Sequence, residues 1–469
     1  MRPFAWHALC WRRELVDYEL RGTGEDLLHR LVREGLPELR AALAAHDHQL
    51  SRTVEREFEA YLGCGDPERG FAWLECVDCS DAVLVPFSCK GRAFCPACCG
   101  RRMAERAAWL VERVIPHVAT RQWVLTVPWP RRWLLARNPE LALGVVRIAL
   151  DRIEAWYRAR AAAPEGRSGA VTVLQRFSSS LSLNLHFHIV HLDGVYVDGA
   201  AGGRSFRQAT PHQEDVEKVV LEIGVLAERW LAKQGFAGDE ALEQDPDDAV
   251  GLLQQASLAG VEAVGPRAGK KVRRVQTFHG RDVALPPRCA AYEGYNLHAG
   301  VALKATAREA LERLLRYTLR PPLAKERLSQ REDGTVVLGM KRAWSDGTHT
   351  IEFSLADFVG KLAAIVPPAR SNQTVYRGVL AGNSSLRSEI VPQPPPLSRK
   401  ERCRRRRRKL TRRPRGHGLG WAELLERVFG HDVFRCKLCN GPKRLHAVVV
   451  NPPASTRILA GLARARAPP

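Results

Sequence analysis

Apolar residues recur every three or four positions in Asp26-Leu-Leu-His-Arg-Leu-Val32 and Leu36-Pro-Glu-Leu-Arg-Ala-Ala-Leu43, which predicts helices across residues 1–60. Residues 61–103 are rich in Cys and Gly, with short strand-like runs. A helical period resumes at Ala104 and stops before Pro116. Gln122-Trp-Val-Leu-Thr-Val127 reads as a strand closed by Pro128, and a helix follows from about Pro139 to Arg160. Ala170–Phe177 and Leu185–Leu192 read as two strands, and the polar turn region Ser178–Asn184 between them predicts a hairpin. Residues 203–290 form an insert: a helix near Glu214–Lys233, an acidic stretch over 239–248, and a basic segment with Lys270 and Lys271. Tyr295–Leu303 is another strand. From Thr306 to Leu319 a helix is predicted, opened by the capping-box pattern Thr306-x-x-Glu309 and closed by Pro321-Pro322. Its apolar stripe is Leu311, Leu314, Leu315, Thr318 and Leu319, with Tyr317 at the border beside Arg313 and Arg320. Residues 333–353 predict a hairpin, Leu355–Ile365 a helix, and Gln393-Pro-Pro-Pro opens a linker.

Charge changes this picture more than composition does. With 45% hydrophobic and 26% charged residues the chain is ordinary for a globular protein. No apolar run is long enough for a membrane span, and the N-terminus lacks the pattern of a secretion signal. Lys and Arg number 72 against 51 Asp and Glu, a net charge of +21, which points to a polyanionic partner. Arg399–Arg415 alone holds ten Arg, two Lys and one Glu, including Arg404, Arg405, Arg406, Arg407 and Arg408. Such a run packs no core and reads as a DNA tether.

The cysteines are clustered. Cys76-x2-Cys79-x15-Cys95-x2-Cys98 has the spacing of a structural four-thiolate zinc site, in which two knuckles face one ion. Cys64, Cys89 and Cys99 are spare, and Cys89 is an alternative ligand. Cys436-x2-Cys439 is half a site; His431 or His446 would complete it, or the two are a reduced core pair.

His186-Phe-His188 alternates on a strand, so both imidazoles share one face. Such a pair either grips a divalent cation or is a pair of satisfied core histidines. Tyr317, in turn, either packs its ring at the helix border or presents a nucleophilic oxygen. A metal-binding His pair together with a tyrosine on a later helix is the equipment of metal-assisted DNA nicking.

These features, in order along the chain, resemble transposases of the rolling-circle insertion-sequence family that uses His-hydrophobic-His (HUH) nuclease chemistry, including ISCR-type elements. The matching stretches are Phe87-Ser-Cys-Lys-Gly-Arg-Ala-Phe-Cys-Pro-Ala-Cys98, Arg121-Gln-Trp-Val-Leu-Thr-Val-Pro128, Gln175-Arg-Phe177 through Leu183-Asn-Leu-His-Phe-His188, and Leu192-Asp-Gly-Val-Tyr196. Further on come Arg316-Tyr-Thr-Leu-Arg-Pro-Pro-Leu-Ala324, Trp344-Ser-Asp-Gly-Thr348, Tyr376-Arg-Gly378, Trp421-Ala-Glu-Leu-Leu425 and Phe434-Arg-Cys-Lys-Leu-Cys439. The resemblance implies His186 and His188 as ligands of a catalytic Mg²⁺ or Mn²⁺, with Gln175, Asn184 or His298 as candidates for a third ligand. It implies Tyr317 as the nucleophile that forms a 5′-phosphotyrosine. Some members carry a second tyrosine four residues away; here position 313 is Arg and position 321 is Pro, which makes this a single-tyrosine variant.

The expected fold class is α+β. An N-terminal helical region (1–60) and a zinc-binding domain (61–103) precede an HUH nuclease domain (104–330, insert about 203–290) with an antiparallel sheet and helices on one side. A C-terminal part of the core (331–392), a Pro/Arg-rich basic linker (393–415) and a small C-terminal CxxC domain (416–469) follow. The expected function is a DNA transposase that binds element ends and nicks single-stranded or hairpin DNA, with Arg313, Arg316 and Arg320 on the DNA backbone. It would work in the bacterial cytoplasm, at the nucleoid, with no membrane partner. The alternatives are a plasmid rolling-circle replication initiator or relaxase, and a non-catalytic zinc-ribbon DNA-binding protein. The sequence sets neither the recognised ends nor the oligomeric state.

Overall fold

The structure, a computed structural model, describes residues 16–17, 26–199, 203–237, 248–277, 286–392, 432, 434–450 and 452–466. The Arg399–Arg415 run, most of the acidic stretch, His431 and the Trp421 motif lie outside them. In chain order the elements begin with β1 (Val16–Asp17), α1 (Leu27–Ala44), α2 (Arg52–Leu62), β2 (Phe71–Cys76), β3 (Ala82–Pro86), α3 (Pro96–Arg113), β4 (Thr120–Thr126), α4 (Trp129–Arg137) and α5 (Pro139–Arg160). Next are β5 (Gly169–Phe177), β6 (Leu183–Leu192), β7 (Gly194–Asp198), β8 (Arg204–Gln208), α6 (Gln213–Lys233), α7 (Ala249–Ala259), β9 (Arg273–Gln276), β10 (Cys289–Tyr292), β11 (Tyr295–Leu303) and α8 (Arg308–Thr318). The chain then forms β12 (Leu328–Gln330), β13 (Val336–Gly339), β14 (Thr348–Phe353), α9 (Leu355–Ala364), β15 (Thr374–Gly378), α10 (Arg387–Ile390), β16 (Lys443–Val449) and α11 (Pro452–Arg466). Among the described residues no helix is long and apolar enough to cross a membrane.

The chain divides into two compact units, one of Met1–Arg33, Arg56–Gly91 and Gly420–Pro469, the other of Glu34–Glu55 and Arg92–Leu419. The first unit holds a four-stranded sheet of order β1-β3-β2-β16. One apolar cluster under this sheet is small: Phe71, Leu84 and Val449, with Ala454, Ile458 and Leu459 packed on. The C-terminal CxxC segment, expected to be a domain of its own, is therefore part of this unit. Its strand β16 pairs antiparallel with β2, which has a free edge to fill.

In the second unit six strands run in the order β10-β11-β4-β6-β5-β15, every neighbouring pair antiparallel. The expected β5–β6 hairpin forms, and β6 lies between β4 and β5. Leu185, Phe187 and Ile189 of β6 join Trp123 and Leu125 against α5 and α6. Val190 and Leu192 join Val171 on the opposite face, against α3 and α8. Helices thus cover both faces, where one was expected. From Phe187 to Leu192 every residue of β6 is buried, and residues of both parities can be buried only if both faces are covered. Tyr376, which reads as a loop residue in sequence, lies on the edge strand β15, so the sheet draws on residues well beyond 330. A second sheet, β12-β13-β14-β9, contains the hairpin expected over 333–353 and recruits β9 from the insert.

One buried ion pair pins three strands. Arg121 on β4 donates to both oxygens of Asp193 at 2.8 and 3.0 Å and to the Ala299 carbonyl of β11 at 2.8 Å. Tyr157 of α5 donates its hydroxyl to Asp193 at 2.7 Å. With both partners almost wholly out of water, Asp193→Ala strands a buried guanidinium. It should cost about 3–5 kcal/mol in urea unfolding.

Candidate active site

The pleat of β6 places Asn184, His186 and His188 on the face that also carries Val190 and Leu192. The two imidazole centroids are 4.9 Å apart. His188 is 4% exposed and sits across from Val124 of β4 and Val173 of β5. The side-chain amide of Gln122 lies 2.9 Å from His188 Nδ1, and Gln175 Oε1 lies 3.4 Å from His188 Nε2. Gln175 also donates to the Thr318 carbonyl at 3.2 Å, which ties the last turn of α8 to the histidine. His186 Nδ1 is 2.9 Å from the Asn184 carbonyl, so it donates there and leaves Nε2 as the ring nitrogen with the free lone pair.

Burial drives His188 down to about 3, and the neighbouring His186 and Arg320 push it further the same way. Burial lowers His186 as well, against the Asn184 carbonyl, which favours its charged form. Both rings are therefore neutral at neutral pH, the form in which imidazole ligates a metal. The Oδ1 of Asn184 is buried without a hydrogen-bond partner, on the same face as the two rings. Gln175 is already engaged with His188 and Thr318. His298 pairs with Val124 of β4, which separates it from β6. Of the three candidate third ligands, Asn184 has the oxygen that lacks a partner.

Helix α8 buries Leu311, Leu315 and Thr318, as its stripe predicts. Its start differs: the helix begins at Arg308 with Ala307 as an N-cap that makes no side-chain bond, so the Thr306 capping box does not form. A turn closed by the Arg308 amide on the Thr306 carbonyl takes its place. Tyr317, 50% exposed, presents its ring edge-on to His188 with centroids 6.0 Å apart. The Arg320 guanidinium lies 4.7 Å from the same ring. Arg316 pairs with Glu312 at 2.8 Å, and Arg313 stands outward, 3.9 Å from Glu309. Tyr376 packs edge-on against Trp109 and accepts from Arg106 at 3.4 Å; burial raises its hydroxyl.

Beside the end of α8 opens a cleft of about 280 Å³, lined by Gln175 and five arginines: Arg92, Arg102, Arg106, Arg176 and Arg320. Arg106 and Arg176 were missed in the sequence, because no local pattern separates a cleft-lining arginine from a solvated one.

The expected zinc set is divided. Cys76 and Cys79 gather with Cys436 and Cys439, all four sulfurs within 4.8 Å of one another. Cys95 and Cys98 are not members of that set; they open α3 in the other unit. The reason is the β2–β16 register, which brings the distant C-terminal knuckle to Cys76. His446 does not complete the C-terminal pair: it bonds Glu75 at 3.1 Å and packs on Trp73. Cys64 and Cys89 are joined in the smaller unit, where the Cys89 amide donates to Cys64 Sγ at 3.4 Å.

Residues 169–388 match the family model described as "Putative transposase", and residues 33–127 match "Transposase zinc-binding domain". The chain carries transposase domains. The two matches support an IS91-family transposase, and with it DNA as the partner and zinc as a bound metal. No curated protein and no solved structure gives a match. The first transposase match spans the strand of the two histidines and the helix of Tyr317, and the second includes Cys76, Cys79, Cys95 and Cys98.

In the metal-free protein His188 is held below its unfolded value of 6.5, so the unfolded chain takes up the proton first. Stability is full above that range and falls as pH drops toward about 3, by roughly 1.4 kcal/mol per pH unit at most. Urea unfolding between neutral and acid pH should show this slope, and His188→Asn should flatten it.

Proposed function

We propose that this transposase nicks single-stranded DNA at its element ends through Tyr317, forming a 5′-phosphotyrosine in rolling-circle transposition. The observation that carries the reading is the convergence of His186, His188 and Tyr317, from a strand and a helix more than 100 residues apart, at ring separations of 4.9 and 6.0 Å. The donor set fits a hard divalent cation: two neutral imidazoles and an unpartnered amide oxygen. A Mg²⁺ or Mn²⁺ held by His186 and His188, with Asn184 as the third ligand, would offset charge on the scissile phosphate.

Each residue then has a task. Gln175 holds the end of α8 through the Thr318 carbonyl and so sets where the phenol stands. For His188 Nε2 to ligate, Nδ1 must carry the proton; turning the Gln122 amide about its last bond presents an oxygen to accept it. The Tyr317 oxygen attacks phosphorus in line. Its bond to phosphorus forms as the bond to the 3′ oxygen breaks, and the phenolic proton balances the freed 3′-OH. Arg320 and the cleft arginines hold flanking phosphates, with Arg313 and Arg316 along the outer helix face. The Arg404–Arg408 run adds sequence-independent affinity at the chromosome. Cys95 and Cys98 hold structural zinc apart from Cys76 and Cys79.

The transposase matches favour this reading over a plasmid initiator, and a half-exposed tyrosine beside the histidines favours it over a non-catalytic binder. Single-stranded DNA from the flanks of the reading frame, incubated with the protein and Mn²⁺, should give a covalent adduct on a denaturing gel. Tyr317→Phe should remove the adduct while leaving unfolding stability within about 0.5 kcal/mol, because the ring packing stays. His186→Ala or His188→Ala should slow nicking by more than about 100-fold without weakening DNA binding. An adduct that persists in Tyr317→Phe, or that maps to Tyr376, would refute the assignment.

Replacing Arg404–Arg408 by Gln should weaken binding evenly across DNA sequences. It should also flatten the slope of affinity against salt, by roughly 0.7 for each single-strand phosphate that the run no longer neutralises. An unchanged slope would show that the run does not touch DNA.

A further inference from the structure

The two knuckles of the smaller unit are copies in backbone geometry. In Cys76-Val-Asp-Cys79-Ser80 the Ser80 amide donates to the Cys76 carbonyl at 3.1 Å; in Cys436-Lys-Leu-Cys439-Asn440 the Asn440 amide donates to the Cys436 carbonyl at 3.0 Å. Ser80 and Asn440 both adopt left-handed backbone, at φ of 61° and 59°. The Gly441 amide donates to Cys439 Sγ at 3.4 Å. A side chain at Gly441 would strike Asp78, whose carboxylate stands 2.2 Å from where a Cβ would be.

Sulfur separations across the knuckles are 3.5 Å for Cys76–Cys439, 3.6 Å for Cys79–Cys436 and 3.4 Å for Cys79–Cys439. A tetrahedron of thiolates at about 2.3 Å from zinc has edges of about 3.8 Å, whereas a disulfide needs about 2.05 Å. Four thiolates around Zn²⁺ carry a net charge of −2. Lys443, directly opposite Cys76 on β16, is the buried cation that offsets it, and it also holds Asp81 at 2.7 Å. The Cys436 thiol donates to the same Asp81 oxygen at 3.2 Å; on losing its proton it gives up that bond, and Lys443 keeps the carboxylate paired.

We propose that Cys76, Cys79, Cys436 and Cys439 bind one Zn²⁺, and that this ion fastens the C-terminal segment, β16 and α11, to the β2–β3 hairpin. The apolar cluster under the C-terminal segment is small: Phe71, Leu84 and Val449 are its buried members, while Leu445 and Val448 of β16 face solvent. Metal binding supplies the missing free energy.

The test uses the full-length protein under reducing conditions. Zinc content should fall by one equivalent in Cys76→Ser/Cys79→Ser, by one in Cys436→Ser/Cys439→Ser, and by one, not two, in the fourfold variant. Brief trypsin treatment of the wild type should cut the arginine run, and the C-terminal fragment should co-elute with the remainder until a chelator such as 1,10-phenanthroline releases it. Unchanged zinc in either double variant, a loss of two equivalents in the fourfold variant, co-elution that survives the chelator, or mass spectra showing these cysteines as disulfides would each overturn the proposal.

Discussion

The alternation of one central strand governs the larger unit. Because successive side chains of β6 point to opposite faces, Phe187 must enter the α5–α6 core if His186 and His188 are to share the other face. A one-residue slip against β4 or β5 would bury the histidines among aliphatics and turn Phe187 toward the site. The register is secured twice: by apolar packing on both faces, and by Arg121, which from the neighbouring strand holds Asp193 just past the end of β6. The geometry around the two imidazoles is thus fixed mainly by residues that never meet a substrate.

Helix α8 is positioned by a different device. Its apolar stripe sets its rotation, leaving Tyr317 at the margin between a packed face and solvent. Its axial position is set at the far end, where Gln175 bonds both the Thr318 carbonyl and His188. The last turn of a helix offers carbonyls without intrahelical partners, and a side chain from the sheet takes one of them. A single glutamine therefore couples the distance from strand to helix with the orientation of a ring.

Local signals were legible in the sequence. The β5–β6 hairpin, the β13–β14 hairpin, α9 and the buried stripe of α8 follow from periodicity and turn residues, and the spacing of His186 and His188 fixed their shared face. What escaped depends on partners remote in the chain. Spacing paired the Cys76 knuckle with the nearest candidate, whereas strand register brings Cys436 and Cys439 from some 360 positions away. Tyr376 looked like a loop residue because an edge strand with a half-buried pattern has little alternation to show. The capping box of Thr306 matched a motif, but the helix starts two residues later. The second layer of helices follows from unbroken burial along β6, a signal present in the run Phe187–Leu192 but readable only once the strand is known to be central.

The β2–β16 pairing also sets a schedule. Strand β2 leaves the ribosome well before β16, which fills its edge, and with two cysteines whose partners are still unmade. At about 5–20 residues per second, the remaining chain takes on the order of tens of seconds to arrive. The larger unit can assemble in that interval, since among the described residues none of its strands comes from beyond residue 378. The β2–β3 hairpin, made before the larger unit, is thus completed after it, and a chain cut short before residue 436 leaves an exposed strand edge and a pair of unpartnered thiols.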